Sequence, residues 1–190
     1  MFEKTKPDDW HLSNSEPSRS LTKLEFGVER LVYSYFRWKV ACISSIDDAG
    51  LTAEDISVLN LIRKDDQPKK LTEIARMLNR SDVSNLQYAV RKLTKEGLIS
   101  KQDNSSRKDT TYLASPKGVS ITTDYADTRN QLLIQSLGGQ IDLAELEAAA
   151  NTLSRLTGLY DQAIAHTKAL WTQSLPITPP TPKEPEDGRI

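Results

Sequence analysis

The sequence predicts a mainly α-helical protein with a single β-hairpin near its middle. Long stretches at both ends place apolar residues at intervals of three and four, the spacing of amphipathic helices. Between them, residues 71–97 have the form of two short helices joined by a tight turn. Directly afterwards, two short β-prone segments flank a turn-rich basic segment. This order predicts a winged helix-turn-helix with a two-stranded wing, flanked by long N- and C-terminal helices.

The composition argues against several classes of protein. The chain of 190 residues is 37% hydrophobic and has a formal net charge of −1, which is ordinary for a globular protein. Its one cysteine cannot form a disulfide within the chain and fits a reducing compartment. We find no signal peptide and no apolar run that could cross a membrane, so we expect a cytoplasmic protein. No metal-ligand, cofactor-binding or catalytic motif is present, so we expect no metal, no cofactor and no enzymatic activity.

The N-terminal part combines a polar segment with a long helix. Residues 1–18 contain two prolines and many polar side chains, which predicts a disordered tail. From Leu21 to Cys42 apolar residues recur every three or four positions, which predicts an amphipathic helix over residues 19–48. The apolar face of this helix is too wide for a helix in solvent, so it must pack against another large surface.

Residues 51–118 should form one small domain. Thr52 and Asp55 have the spacing of a capping box and should begin its first helix. The sequence Asp-Asp-Gln-Pro at residues 65–68 should end that helix. Residues 71–79 should then form a short helix that leads into the tight turn.

The helix after the turn is expected to read DNA. Ser81 can cap its N-terminus, and Gly97, which tolerates positive φ, should end it. One face should be buried, formed by Val83, Leu86, Val90 and Leu93. The opposite face is polar and cationic, which suits the major groove. We expect base or near-base contacts from Ser84, Asn85, Tyr88 and Arg91, and Gln87 should flank the groove. Phosphate contacts are expected from Ser81, Lys92, Lys95 and Lys108.

The hairpin that follows is the expected wing. Its strands should occupy residues 98–102 and 110–114, and its basic tip could place Arg107 and Lys108 against the minor groove or nearby phosphates. Residues 69–118 contain eleven Lys and Arg against five Asp and Glu, a net charge of +6, so the rest of the chain carries −7. Local positive charge favours a phosphate-binding surface. The alternative is a solvated helix and a surface hairpin with no nucleic-acid ligand.

Two helices and a tail should complete the chain. The first helix should begin at Pro116 and run to about Leu137. The second should begin near Asp142 with an unbroken heptad seam of Leu146, Ala149, Leu153, Leu156, Tyr160, Ala163, Thr167 and Leu170. We expect residues 19–48 and 119–175 to form a homodimer, although a helix packed within its own chain would show the same seam. Residues 176–190 contain five prolines and should be a disordered tail, with partner binding as the alternative.

The complete pattern resembles the MarR family of bacterial transcription regulators over about residues 25–170. Residues 93–99 (LTKEGLI) are similar to the family's Leu-x-x-x-Gly-Leu-Ile/Val sequence. Residues 103–108 (DNSSRK) are similar to its Asp-x-x-x-Arg-Arg wing, with lysine in place of the second arginine, and residues 114–118 (ASPKG) to its closing Leu-Thr-x-x-Gly. The resemblance implies a homodimer with two reading heads on a near-palindromic duplex operator. It also implies that a small molecule or an oxidant alters the affinity for DNA.

Two effector hypotheses and two rival functions stay open. Tyr35, Trp38, Tyr125 and Arg129 could line a cavity for a small aromatic or phenolic effector, although aromatic residues at helical spacing usually belong to a core. Cys42 could make the protein an oxidant-sensing regulator, although a cysteine on the apolar register is usually a small buried hydrophobe. The rival functions are a winged-helix protein-interaction module without DNA binding and a small enzyme on a helical scaffold.

Overall fold

The computed structural model describes residues 10–102 and 110–174. The helices are α1 (Glu16–Ser44), α2 (Ala53–Arg63), α3 (Leu71–Met77), α4 (Val83–Lys95), α5 (Pro116–Arg129), α6 (Gln135–Leu137) and α7 (Leu143–Ser174). The strands are β1 (Lys69–Lys70), β2 (Ile99–Gln102) and β3 (Thr111–Ala114). One compact unit extends to Gln135, and a second begins at Ser136. The predicted fold class, a mainly α-helical winged helix-turn-helix with long terminal helices, is confirmed.

The first helix begins earlier than the sequence predicted. Ser15 caps α1 by accepting a hydrogen bond from the Ser18 N–H, and a proline in the first turn favours the helical start. The hydroxyls of Ser18 and Thr22 donate to the carbonyl oxygen of Leu12, which fixes the segment before the helix. The prediction of a disordered tail over residues 1–18 is therefore wrong from residue 10 onward, and residues 1–9 lie outside the described part of the chain. Helix α1 also ends at Ser44, before the expected residue 48.

The capping box of the second helix is confirmed. The Asp55 N–H donates to Thr52 Oγ1 at 3.2 Å, and the Thr52 N–H donates to Asp55 Oδ2 at 2.9 Å. Ile56, Leu59 and Ile62 are buried, as the sequence predicted. A short 3-10 turn with Asp65 at a φ of 61° then ends the helical segment.

Helix α4, which follows the tight turn, is capped by a different residue from the one predicted. Asp82, not Ser81, is the N-cap of α4, because its carboxylate accepts from the Ser84 N–H at 2.9 Å. The helix ends before Gly97, whose φ of 71° confirms the predicted left-handed stop. Leu86, Ala89, Val90 and Leu93 form its buried face, and Val83 is only half-buried.

The β-sheet contains one more strand than predicted. Its order is β1-β3-β2 with antiparallel pairing throughout, and the added strand β1 pairs Lys69 with Tyr112 and Lys70 with Thr111. A strand of two residues is too short to show an alternating pattern, so β1 could not be predicted from periodicity. The two predicted wing strands are present, and the tip between them, residues 103–109, lies outside the described residues.

The core lies where α1 to α5 meet the sheet. Its fully buried side chains are Ile43, Ile56, Val58, Leu59, Ile62, Ile74, Leu86, Leu93 and Leu98. Ser115 is the N-cap of α5, and Pro116 lies in its first turn, as expected. The helical path then continues through a π-helical segment, Asn130–Ile134, and ends with α6 at Leu137.

The second unit is dominated by α7. Asp142 and Glu145 cap its start, since the Glu145 N–H donates to the Asp142 carboxylate at 2.7 Å and the Asp142 N–H donates back at 3.0 Å. Within the described ranges, no helix is both long and apolar enough to cross a membrane.

A substitution at Gly118 tests how closely α5 packs on the start of the hairpin. A Cβ at this position would clash with the carbonyl oxygen of Leu98, whereas a Cβ at Gly27 in α1 would meet nothing within 4 Å. We expect Gly118→Ala to destabilise the protein by about 1–3 kcal/mol through overpacking. Gly27→Ala should stabilise it by about 0.5–1 kcal/mol through helix propensity. Thermal unfolding followed by circular dichroism measures both, and equal melting temperatures for the two variants would contradict the packing.

Candidate nucleic-acid interface

Helix α4 presents its polar face to solvent. Ser84, Asn85, Gln87, Tyr88, Arg91 and Lys95 are all exposed. Tyr88 is 64% exposed although neighbouring Leu86 is 1% exposed. Four of these six residues are the predicted base or near-base contacts, Gln87 was predicted to flank the groove, and Lys95 is a predicted phosphate contact. The structure therefore places them on one accessible helix face, while their contacts with DNA stay a prediction.

One predicted phosphate contact, Lys92, is half-buried and also pairs within the protein. The ammonium of Lys92 donates to Asp55 Oδ2 at 3.0 Å and to the carbonyl oxygen of Gly50 at 2.7 Å. Asp55 is buried, and its carboxylate therefore needs a cationic partner. Helical angle alone does not reveal this pairing, because the buried carboxylate belongs to another helix. A phosphate contact by Lys92 stays a prediction.

A second ion pair holds the start of the reading helix. Arg80, two residues before the Asp82 N-cap, pairs with Glu54 at 3.0 Å. Glu54 and Asp55 both lie in the first turn of α2. The beginning and the last turn of α4 are thus both attached to the N-terminal turn of α2, which fixes the direction in which the exposed face points.

The N-terminus of α4 carries an acidic side chain, Asp82. Besides capping α4, the Asp82 carboxylate accepts from the Asn85 side-chain amide at 2.6 Å. This bond orients the amide of Asn85 before any DNA arrives. Ser81 is exposed beside it. The two wing cations, Arg107 and Lys108, belong to the part of the chain that the structure does not describe, and their role stays a prediction.

A basic cleft adjoins the polar face of α4. It has a volume of about 530 Å³ and is lined by Lys70, Thr72, Gln87, Arg91, Lys101 and Tyr112, with Leu71, Val90 and Thr110 completing it. Gln87 and Arg91 were predicted, but Lys70 and Lys101 were missed. Nothing in the sequence marked β1 as a strand, so the proximity of Lys70 to the reading helix was not visible.

Tyr35, Trp38 and Arg129 all affect the pKa of Tyr125, the fourth predicted effector residue. Tyr125 is buried, and burial raises the pKa of its phenol, with further increases from the neighbouring Tyr35 and Cys42. The Trp38 indole and the Arg129 guanidinium lower the pKa of the same phenol, so both lie close to it. The buried Trp38 N–H does not reach the geometry of a formed hydrogen bond. The cluster therefore contains a buried phenol and a buried indole N–H that lacks a hydrogen-bond partner among the described residues.

A buried lysine beside this cluster escaped the sequence analysis. Lys39 is 4% exposed, and its ammonium lies 2.6 Å from Ser57 Oγ and 4.1 Å from the ring centroid of Tyr35. Burial lowers the pKa of Lys39 below the usual lysine value. A lysine in the apolar stripe of a helix was the available sequence signal, and the hydrophobic periodicity masked it.

Cys42 lacks the environment of a reactive thiol. It is buried, and burial raises the pKa of its thiol. A sensor cysteine needs the opposite, an accessible thiol with a lowered pKa. The structure favours the interpretation of Cys42 as a small buried hydrophobe.

Comparisons with known proteins agree with this geometry. Residues 51–118 match the family described as winged helix DNA-binding domain. No curated protein matches the chain significantly. Among solved structures, a cysteine-to-serine variant of MarR from E. coli complexed with operator DNA is 19% identical, with a TM-score of 0.59 over 75% of this chain and 99% of that one.

Two further structures show the same fold. A MarR-family transcriptional regulator from Rhodococcus is 17% identical, with a TM-score of 0.59 over 76% of this chain and 96% of that one. BpsR from Bordetella bronchiseptica, whose DNA binding is regulated by 6-hydroxynicotinic acid, is 21% identical, with a TM-score of 0.51 over 69% of this chain and 98% of that one.

Fold and family match together define the class of protein. Residues 51–118 have a winged-helix fold and match the family of winged helix DNA-binding domains. About three quarters of the chain has the fold of solved MarR-family transcription regulators, which confirms the resemblance found in the sequence.

Substitutions at Lys92 and Lys95 distinguish a lysine that stabilises the fold from a lysine that lies on the exposed face of α4. Lys92→Met removes the cation beside buried Asp55, so we expect a loss of about 1–3 kcal/mol in the free energy of unfolding. Lys95 lies three residues later and is exposed. Lys95→Met should therefore leave the free energy of unfolding within about 0.5 kcal/mol of the parent value. Urea denaturation of both variants measures this difference. Equal unfolding midpoints would mean that the Lys92–Asp55 pair does not stabilise the domain.

Proposed function

We propose that the protein is a sequence-specific transcription regulator of MarR type that binds duplex DNA as a homodimer in the bacterial cytoplasm. The observation that carries this proposal is the exposed polar face of α4 within a winged helix DNA-binding domain. Its side chains offer hydrogen-bond donors and acceptors along one side, and two ion pairs to α2 hold the helix in a fixed direction. A preorganised helix of this kind suits insertion into the major groove.

The side chains of α4 suggest what is read. Arg91 can donate two hydrogen bonds to a guanine, and Asn85 or Gln87 can bind an adenine. Tyr88, whose side chain is 64% exposed, can contact a thymine methyl group or a phosphate. Ser81 and Lys95 would bind phosphates, as would Arg107 and Lys108 at the wing tip. Phosphate contacts position the duplex, and base contacts select its sequence.

Exposed apolar side chains support the homodimer. Helix α1 exposes Leu21, Leu24, Phe26, Leu31, Val32, Tyr33, Tyr35, Phe36 and Val40. Helix α7 exposes Leu143, Leu146, Leu153, Leu159, Tyr160, Ile164 and Leu170. Apolar surface on this scale marks a protein-protein interface. A second copy of the chain would cover both helices and supply a second reading head, so that a near-palindromic operator matches the two-fold symmetry.

A small aromatic or phenolic acid is the proposed effector. The cluster of Tyr35, Trp38, Tyr125 and Arg129 offers stacking surface and a guanidinium that can pair with a carboxylate or phenolate. Such a ligand alters DNA affinity only if it prefers one arrangement of the two reading heads. A tenfold loss of affinity needs a preference of about 1.4 kcal/mol, which a few contacts supply.

Arg91→Ala tests the reading face. A lost base contact should cost about 1–3 kcal/mol at one position of the preferred site and leave binding to scrambled duplex nearly unchanged. The matched control is Arg19→Ala, an exposed arginine at the start of α1 that should behave as the parent. Fluorescence anisotropy with both duplexes measures the affinities. A uniform loss for both duplexes would make Arg91 a phosphate contact, and failure of the parent to bind any duplex would favour a protein-interaction module.

Arg129→Gln tests the effector cluster. A panel of benzoic and phenolic acids should displace operator DNA from the parent, and the active compounds should lose about tenfold in potency on the variant. Arg37→Gln, which changes an exposed arginine of α1, is the matched control and should keep full potency. Equal potency on Arg129→Gln and on Trp38→Phe would place the effector elsewhere.

A further inference from the structure

We propose that Asp82 is a positioning residue that makes Asn85 select adenine over guanine in the major groove of a DNA site. Asp82 does so by holding the side-chain amide of Asn85 in one of its two orientations. This inference rests on the proposed function, because it assigns a base to one residue on the exposed face of α4. It also gives the acidic residue at the start of α4 a role beyond that of a helix cap.

Two hydrogen bonds join the start of α4 to the Asn85 amide. Oδ1 of Asp82 accepts from the backbone N–H of Ser84 at 2.9 Å, which holds the carboxylate at the N-terminus of the helix. Oδ2 of Asp82 accepts from Nδ2 of Asn85 at 2.6 Å. Asn85 lies three residues after Asp82, a spacing at which side chains of a helix are neighbours. The helix start therefore fixes the carboxylate, and the carboxylate fixes the amide.

The nearest cation in the sequence does not compete for this carboxylate. Arg80 lies two residues before Asp82, and its guanidinium pairs with Glu54 at 3.0 Å. A hydrogen bond with one ionised partner is shorter and stronger than one between neutral groups. Asp82 and Asn85 are both exposed, so a base edge can reach the amide without any rearrangement of the helix.

The chemistry of a carboxylate allows only one orientation of the Asn85 amide. An ionised carboxylate accepts hydrogen bonds and cannot donate them, so the NH2 group of Asn85 must face Asp82. The carbonyl oxygen of Asn85 then lies on the opposite side of the amide. Because an NH2 group has two N–H donors, one of them stays available. The amide therefore offers one acceptor and one donor to a ligand.

Adenine matches this pair of groups, and guanine does not. In the major groove adenine presents an acceptor, N7, and a donor, the N6 amino group, whereas guanine presents two acceptors, N7 and O6. The carbonyl oxygen of Asn85 can accept from the adenine amino group while the N–H donates to N7. Against guanine the same oxygen would meet O6, and neither atom supplies a proton. An amide free to turn would present its NH2 group to guanine instead, so the selectivity depends on Asp82.

Asp82→Asn reverses the orienting group and keeps the helix cap. The carbonyl oxygen of the new side chain can still accept from the Ser84 N–H, and asparagine is as good an N-cap as aspartate. Its NH2 group then faces Asn85 and donates, so Asn85 must turn its own NH2 group outward. The melting temperature, followed by circular dichroism, should stay that of the parent.

The readout is the ratio of affinities for two duplexes that differ at one base pair. That base pair is the one whose preference Asn85→Ala removes among duplexes selected from a random library. The parent should prefer adenine over guanine there by about tenfold, and Asp82→Asn should lower this ratio to about one or below. Asp82→Ser, whose hydroxyl can cap the helix and either donate or accept, should give an intermediate ratio. Fluorescence anisotropy measures the affinities.

The ratio separates positioning from charge. Removing the negative charge of Asp82 should raise the affinity for both duplexes alike, because DNA is anionic, and this common factor cancels. Glu96→Gln is the matched control, since it removes the same charge at the other end of α4. Its ratio of adenine to guanine should equal that of the parent.

Four results would overturn the inference. If the parent binds duplex DNA and Asp82→Asn keeps its ratio, Asp82 does not position Asn85, although the proposed function stands. The same holds if Asn85→Ala removes no base preference. If Asp82→Asn still lowers the ratio in the Asn85→Ala background, Asp82 contacts the base itself. If the parent binds no duplex at low salt, the proposed function fails as well.

Discussion

The carboxylate of Asp55 fixes the direction of the reading helix. It is 2% exposed and accepts hydrogen bonds from the Thr52 N–H, which starts α2, and from the Lys92 ammonium in α4. A buried carboxylate without these partners would be strongly destabilising. Its satisfaction therefore requires that α2 begin at Thr52 and that α4 lie with Lys92 turned inward. The direction of the exposed face of α4 follows from that constraint, since Lys92 in its last turn is held against the first turn of α2.

Helix α2 also contacts the helix that carries the proposed effector cluster. Two residues after Asp55, Ser57 accepts a hydrogen bond from the buried Lys39 of α1. Lys39 lies over the ring of Tyr35, and Tyr35 lies near the phenol of Tyr125. One and the same helix thus joins the reading helix through Asp55 and the aromatic cluster through Ser57. A ligand that displaced α1 would act on α2 directly, which is the physical connection that the effector hypothesis needs.

Local chemistry explains which parts of the fold the sequence predicted. The capping box at Thr52 and the left-handed stop at Gly97 are short-range signals, and both are present as expected. The early start of α1 depends on Ser15 and on hydroxyls that donate to Leu12, contacts that hydrophobic periodicity does not show. Strand β1 exists only because its two residues pair with β3, a partner more than forty positions away in the sequence.

The residues of the candidate site also fall into two groups, those predictable from local sequence and those that depend on contacts between distant elements. The exposed face of α4 could be predicted from helical angles, because its buried residues recur every three or four positions. The inward turn of Lys92 and the cleft lysines Lys70 and Lys101 depend on which elements meet in space. The wing cations were predicted from turn-prone sequence and lie outside the described residues. The sequence therefore located the helix with the exposed polar face. The structure was needed to distinguish Lys92, which pairs with Asp55, from the exposed cations Arg91 and Lys95.

The most direct test of the account is to select duplexes from a random library with the purified full chain and to sequence those that it retains. The account predicts a near-palindromic motif whose half-site centres lie about one helical turn, roughly 10 bp, apart. That result would require two reading heads and sequence-specific contacts at once. Retention of no duplex at low salt, or retained sequences with the composition of the input library, would contradict the account.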